Sequence, residues 1–211
     1  MTINTKKTGL VLVSAATSFD ARVGINLNGQ TICGSDNLKI LGVTLHRDGS
    51  FKTHTAGLSR KMRAKPWALS RLKKKRLSET DLVKTYKCLI RPTAEYALPA
   101  WHSLLTAAQS AEIERQQSQS LKNIFGPGIS AFKMRQKAGL ETLFKRRETM
   151  AKKFALKPLA NPRTTGWFQK RKRPKYSRRN SVNYPKYREE TAHTDRHRNS
   201  LKNYLIRRLN E

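Results

Sequence analysis

Acidic side chains are scarce. Fourteen Asp and Glu stand against 44 Lys and Arg along 211 residues, a formal net charge of +30. An excess of that size says little about fold, but it points to a polyanionic partner, because Lys and Arg placed near phosphates release the counterions condensed there. Cysteine is nearly absent too. Cys33 and Cys88 make no C-x-x-C or comparable ligand pattern, which argues against a cysteine metal centre and makes a reducing intracellular compartment the default. No apolar run approaches the roughly 18–20 residues of a membrane span and no signal-peptide pattern opens the chain, so a membrane is not an expected partner. No G-x-S-x-G or similar nucleophile motif occurs, which leaves hydrolysis of a small-molecule substrate without support. The five aspartates, Asp20, Asp36, Asp48, Asp81 and Asp195, are never adjacent.

What is present is unevenly spread. Residues 1–57 carry six basic and three acidic side chains, residues 58–156 carry 22 and seven, and residues 157–211 carry 16 and four. The secondary-structure signals change at similar places. Residues 10–13 (LVLV) are a short apolar run; Val23, Ile25 and Leu27 alternate, and Asn28-Gly29 supplies residues that tolerate positive φ in a tight hairpin, with Ile32 on the return strand. LKILGVTL, residues 38–45, is an alternating apolar run with Gly42 at its centre. Residues 1–49 therefore predict a small antiparallel β meander, too small to be stable unless something covers one face.

Residues 50–160 read as helices. Leu58, Met62, Leu69 and Leu72 fall on one face at helical spacing, and Arg60, Arg63, Trp67, Arg71 and Lys74 fall on the opposite one. Pro66 should kink or split this helix. Ser78-Glu79-Thr80-Asp81 resembles a capping box and opens a second helix, expected to stop at Arg91-Pro92. Thr106 and Gln109 open a third that ends at Gly126-Pro127-Gly128, Ser130 opens a short one, and a last helix carries Leu140, Leu143, Met150 and Phe154. Guanidinium groups fork onto phosphates and an indole stacks on a base, so the Arg60, Arg63, Trp67, Arg71, Lys74 face is the leading candidate for nucleic-acid contact, against an ordinary solvated helix face.

Residues 161–211 are rich in Arg, Lys, Asn, Ser and Tyr. Low hydrophobicity with like charge does not offset the entropy of ordering, which predicts a basic, largely disordered tail, with a short amphipathic helix open to residues 201–209. Lys170, Arg171, Lys172 and Arg173, interleaved with Trp167, Phe168, Tyr176, Tyr184 and Tyr187, read as a nuclear-localisation or nucleic-acid patch, or else as a solvated tail that binds any polyanion. His193 and His197 are four apart, but two imidazoles without Cys or carboxylate support make a poor zinc site. No residue is nominated as a metal ligand.

LKILGVTL, followed by Asp48-Gly49-Ser50-Phe51 and His54, resembles the segment after the catalytic strands in reverse transcriptases of non-LTR (LINE-type) retrotransposons. INTKKTG at residues 3–9 resembles the stretch that precedes that strand in the same family; residues 58–105 resemble the helical thumb, and ERQQSQSLKNIFGPG at residues 114–128 resembles a downstream helix and turn. The segments come in the family's order over most of residues 3–168. The resemblance implies that 1–49 is a partial palm whose Leu41-Gly42 hairpin is a primer grip, that 50–160 is thumb-like, and that 161–211 is a basic tail, the whole being α+β. It also places a pyrophosphate-assisting lysine near Lys6 and Lys7, which without metal carboxylates read as solvated.

The departure from the family matters as much. Those polymerases hold two Mg²⁺ ions on an early palm aspartate and a Tyr-x-Asp-Asp pair, because two-metal phosphoryl transfer needs clustered carboxylates. No such motif occurs here, and the chain opens where that turn would just have passed. The expectation is a nucleic-acid-binding fragment with no catalytic residue and no cofactor of its own, nuclear in location. Its partners would be RNA and/or DNA of primer–template type and a separate catalytic palm half. The alternative is a stand-alone basic RNA-binding module of ribosomal-protein type; a third is a translated transposon fragment that barely folds.

Overall fold

Two tight turns organise the first part of the chain. In the computed structural model, which describes residues 4–13, 23–164, 166, 168–171 and 185–210, strand β1 (Gly24–Leu27) pairs antiparallel with β2 (Gln30–Cys33), Leu27 opposite Gln30. Asn28 and Gly29 between them take φ of 50° and 77°, the left-handed pair that a two-residue hairpin turn requires. Strand β3 (Asn37–Ile40) and β4 (Val43–His46) repeat the device, with Ile40 opposite Val43 and Leu41 and Gly42 at φ of 46° and 86°. LKILGVTL is thus a hairpin bent at its glycine. The described strands form two separate two-stranded sheets where a single meander was expected, and residues 10–13 contribute one bridge, Leu10 to Gly34, in place of a strand. Gly9 lies so close to β3 that a Cβ there would sit 2.7 Å from the Leu38 side chain.

Helix α1 (Lys52–Ala64) packs on β4 and buries His54, Thr55, Leu58, Ser59 and Met62. It ends where proline forbids its continuation. Pro66 opens α2 (Pro66–Lys74), since a proline fits a first helical turn but not a helix interior. The chain divides into two units at the same point, Met1–Lys65 and Pro66–Glu211.

The second unit is helical. Ser78 caps α3 (Glu79–Thr85), its hydroxyl accepting from the Asp81 N–H at 3.1 Å. The helix does not stop before Pro92. A wider π turn, Tyr86–Ile90, carries the chain into α4 (Arg91–Glu95), where the proline stands at the start of a new segment and has no N–H to leave unpaired. Ala97, at φ 48°, then turns the chain into α5 (Leu98–Trp101) and a 3₁₀ turn, His102–Leu104. Thr106 and Gln109 form a complete capping box for α6 (Ala107–Phe125); Ser130 caps α7 (Ala131–Ala138) and Thr142 caps α8 (Leu143–Ala160).

Their apolar stripes meet in one core: Leu69, Leu82, Tyr86, Ile90, Leu98, Trp101, Ile113, Leu121, Ile124 and Met134 are fully or almost fully buried, each large side chain stabilising the fold by about 1.5–3 kcal/mol. Within the tail, the helix left open to residues 201–209 is present. α9 (Asp195–Arg198) and α10 (Leu201–Asn210) follow one another, and α10 lies on α8 and α5, burying Tyr204, Leu205 and Ile206. Residues 172–184 lie outside the described residues.

Candidate functional site

The two helices that flank Pro66 each sort their side chains by periodicity. α1 buries Leu58 and Met62 and exposes Arg60 and Arg63; α2 buries Leu69 and exposes Trp67, Arg71 and Lys74. Of the five nominated residues, Arg60 and Arg63 lie on α1 in the first unit, and Trp67, Arg71 and Lys74 lie on α2 in the second. On α2 the arrangement is specific. Trp67 is 60% exposed, and the Arg71 guanidinium carbon stands 5.5 Å from its ring centroid, the reach of a cation–π contact. Arg60 and Lys74 have no carboxylate partner among the described residues. Lys73, beside them in sequence, serves the fold: its Nζ donates to the Ile124 carbonyl at 2.6 Å, a cation at the negative end of α6.

The other nominated residues are dispersed. Leu41 and Gly42 make the tip of the second hairpin, with Leu41 87% exposed. Lys170 and Arg171 are exposed beside an antiparallel bridge, Lys170 to Tyr187, which the Arg171 N–H extends to the Lys186 carbonyl at 2.9 Å. Lys172 and Arg173 lie outside the described residues, as do Trp167, Tyr176 and Tyr184. Lys6 and Lys7 are exposed on a 3₁₀ turn, Thr5–Lys7. His193 precedes α9 while His197 lies in it, so the two do not share a helix face.

Carboxylates are committed one by one. Glu95 takes Arg91 and Arg146 at 3.2 and 2.9 Å, Asp48 takes His46 and Lys52, and Glu148 takes Arg208. Glu114 accepts from the Leu143 and Phe144 N–H groups and so closes the N-terminus of α8. Among the described residues no three His, Cys, Asp or Glu side chains converge in a way that would hold a metal ion; Asp20 and Glu211 lie outside those residues. No described helix is long and apolar enough to cross a membrane.

Two features of the second unit are hard to see in the sequence. Arg147 is fully buried on α8, its Nε donating to His102 Nδ1 at 3.3 Å and its Nη2 to Ser110 Oγ at 2.7 Å. Its signal was its place in a stripe of step four, Leu143, Arg147, Ala151, Ala155, all buried. The second is a cavity of about 430 Å³ lined by Arg91, Gln117, Arg135, Gln136, Gly139, Leu140, Glu141, Leu143 and Arg146. Its three arginines are spread over three helices, and only Glu95, four after Arg91, hinted at a cluster.

The class defined so far is a strongly basic α+β protein with exposed cations on two helices, among them Arg60 and Lys74 without a carboxylate partner among the described residues. Comparison adds a distant relationship. The RNA-directed DNA polymerase from mobile element jockey of Drosophila funebris is 29% identical over 107 residues, which are 49% of this chain and 11% of that polymerase. Over that stretch the chain is similar to part of a retrotransposon reverse transcriptase, and it spans only a small fraction of that protein's length. No family model and no solved structure matches the chain.

Proposed function

We propose that this chain is a nucleic-acid-binding part of a reverse transcriptase of the non-LTR type, with its contacts to the strand on α1 and α2. The observation that carries the reading is Trp67 exposed under Arg71 on a helix whose other cations have no carboxylate partner among the described residues. A guanidinium over an indole forms a platform on which a base stacks while neighbouring lysines and arginines take phosphates. The similarity to part of an RNA-directed DNA polymerase supports a nucleic-acid strand as the partner, and in this reading the strand is a primer paired with a template. In this reading residues 50–160 act as a thumb, the Leu41-Gly42 hairpin as a primer grip, Lys170 to Arg173 as a further basic patch, and the protein works in the nucleus. Polymerisation, with its Mg²⁺, belongs to a palm segment bearing clustered aspartates.

The test is a salt titration of binding to a primer–template duplex. Reversing Arg60, Arg63 and Arg71 to Glu together should weaken binding and reduce the slope of log K against log salt by about 2.7, three phosphate contacts at roughly 0.9 each. An unchanged slope and affinity would refute the assignment of these helices.

A further inference from the structure

The cavity bounded by α4, α6, α7 and α8 has a chemistry of its own. Arg91 and Arg146 come from different helices yet meet on one carboxylate, Glu95, at 3.2 and 2.9 Å. Two guanidiniums are thus fixed at the same wall by a group that neutralises only one of them. Arg135, in the last turn of α7, lines the same cavity and has no carboxylate partner among the described residues. Gly139, at φ 58°, ends α7 in a left-handed turn, its N–H bonded to the Gln136 carbonyl and the Leu140 N–H to the Arg135 carbonyl. That turn lays Gly139, Leu140 and Glu141 along the rim, and the Gln117 amide donates to the Glu141 carbonyl at 3.3 Å to hold the rim on α6.

The free N–H groups at the start of α8 do not supply the anion site, since Glu114 already occupies them. Three arginines and the lining carboxylate of Glu141 set the charge: two guanidiniums remain over once Glu95 has taken one, and Glu141 offsets one more. A cavity of about 430 Å³ is in the range of small-molecule sites, about 300–1,000 Å³, and planar guanidinium forks suit the oxygens of a phosphate.

We propose that this cavity takes the phosphomonoester of a nucleotide, with Arg135 and Arg146 on the phosphate and Arg91 held behind them by Glu95. The monoester carries up to two negative charges and three terminal oxygens, which a backbone phosphodiester does not. Its source is either a free nucleoside monophosphate or the 5′-phosphorylated end of a strand. The proposal stands apart from strand binding by α1 and α2, because neither helix contributes a lining residue, and each can fail without the other.

The experiment uses the full chain at moderate salt with three probes: adenosine 5′-monophosphate by calorimetry, and a single-stranded ten-nucleotide DNA with either a 5′-phosphate or a 5′-hydroxyl, labelled at its 3′ end, by fluorescence anisotropy. Binding of the mononucleotide that Arg135→Gln weakens about tenfold or more assigns a free nucleotide. Preference for the 5′-phosphorylated strand over its 5′-hydroxyl twin, lost in Arg135→Gln, assigns a strand end. Arg135→Lys keeps the charge without the fork and should fall between, and thermal melts establish that each variant folds. Equal binding of the two strands together with no mononucleotide binding overturns the proposal. So does binding of either probe that both variants leave unchanged.

Discussion

The buried contact between His102 and Arg147 sets a pH dependence that can be worked out in advance. His102 is 6% exposed, accepts from Arg147 Nε through Nδ1, and lies edge-on to Phe144 and Tyr204 at ring-centroid distances of 5.8 and 5.5 Å. Burial, followed by the positive charges of Arg147 and Arg208, pushes its pKa down from 6.5 to about 4. The imidazole is therefore neutral when folded, while the unfolded chain takes up a proton below about pH 6.5. The unfolded state binds more protons throughout the interval from 6.5 to 4, so stability is present above it and is lost as pH falls through it. Each pH unit across which only the unfolded imidazole is protonated costs about 1.4 kcal/mol, so the loss between pH 7 and pH 5 is about 2 kcal/mol. Chemical denaturation of the wild type and of His102→Asn at both pH values isolates the effect, because asparagine keeps an acceptor toward Arg147 and does not titrate. His54, which burial also lowers, contributes equally to both proteins. The expected result is a pH-dependent loss smaller by about 2 kcal/mol in the variant. The same loss in both proteins would show that His102 is not held neutral.

Gly42→Val should destabilise the second hairpin by about 1–2 kcal/mol, since a β-branched residue is being forced to φ 86°; Leu41→Asn, at a position 87% exposed with φ 46°, should be neutral or stabilising in the same denaturation assay. Deleting residues 201–211 removes three buried apolar side chains, Tyr204, Leu205 and Ile206, at about 1.5–3 kcal/mol each. Faster amide hydrogen exchange along α8 and a lowered Tm are expected, and unchanged exchange in α8 would show that α10 does not hold it.

Local chemistry was readable and long-range chemistry was not. Asn28-Gly29 announced its hairpin, Ser78, Thr106 and Ser130 announced their helices, and Pro66 announced the division of α1 from α2, because each acts through backbone groups within about four residues of itself. Alternation alone made residues 38–45 one strand, because a left-handed φ is rare for a leucine and Leu41 gave no local sign of it; the hairpin at Leu41-Gly42 was implied only by the resemblance. Pro92 misled for the opposite reason: the π turn before it depends on the packing of Tyr86 and Ile90, which no neighbour in the chain specifies. The docking of α10 is likewise a tertiary effect, in which Tyr204 finds His102 from the far end of the chain. The α1 and α2 faces were readable as periodicity, whereas the Arg91, Arg135 and Arg146 cluster exists only once α4, α7 and α8 have packed.

The scarcity of carboxylates links the fold to the proposed function. Asp36, Asp48, Asp81, Glu95, Glu112, Glu148, Glu189, Glu190 and Asp195 are each spent on a basic side chain close at hand, and Glu114 is spent on the α8 N-terminus. With every acid counted, basic side chains still outnumber acidic ones by 30. Where the fold needs a cation neutralised it holds a carboxylate against it, as Glu95 does for Arg91 and Arg146. Where the described residues offer none, as at Arg60 and Lys74, the field of the exposed cation persists over about 8–10 Å at physiological salt. A polyanionic strand is the partner that such a distribution rewards, because every phosphate it brings displaces counterions without breaking an ion pair that the fold requires.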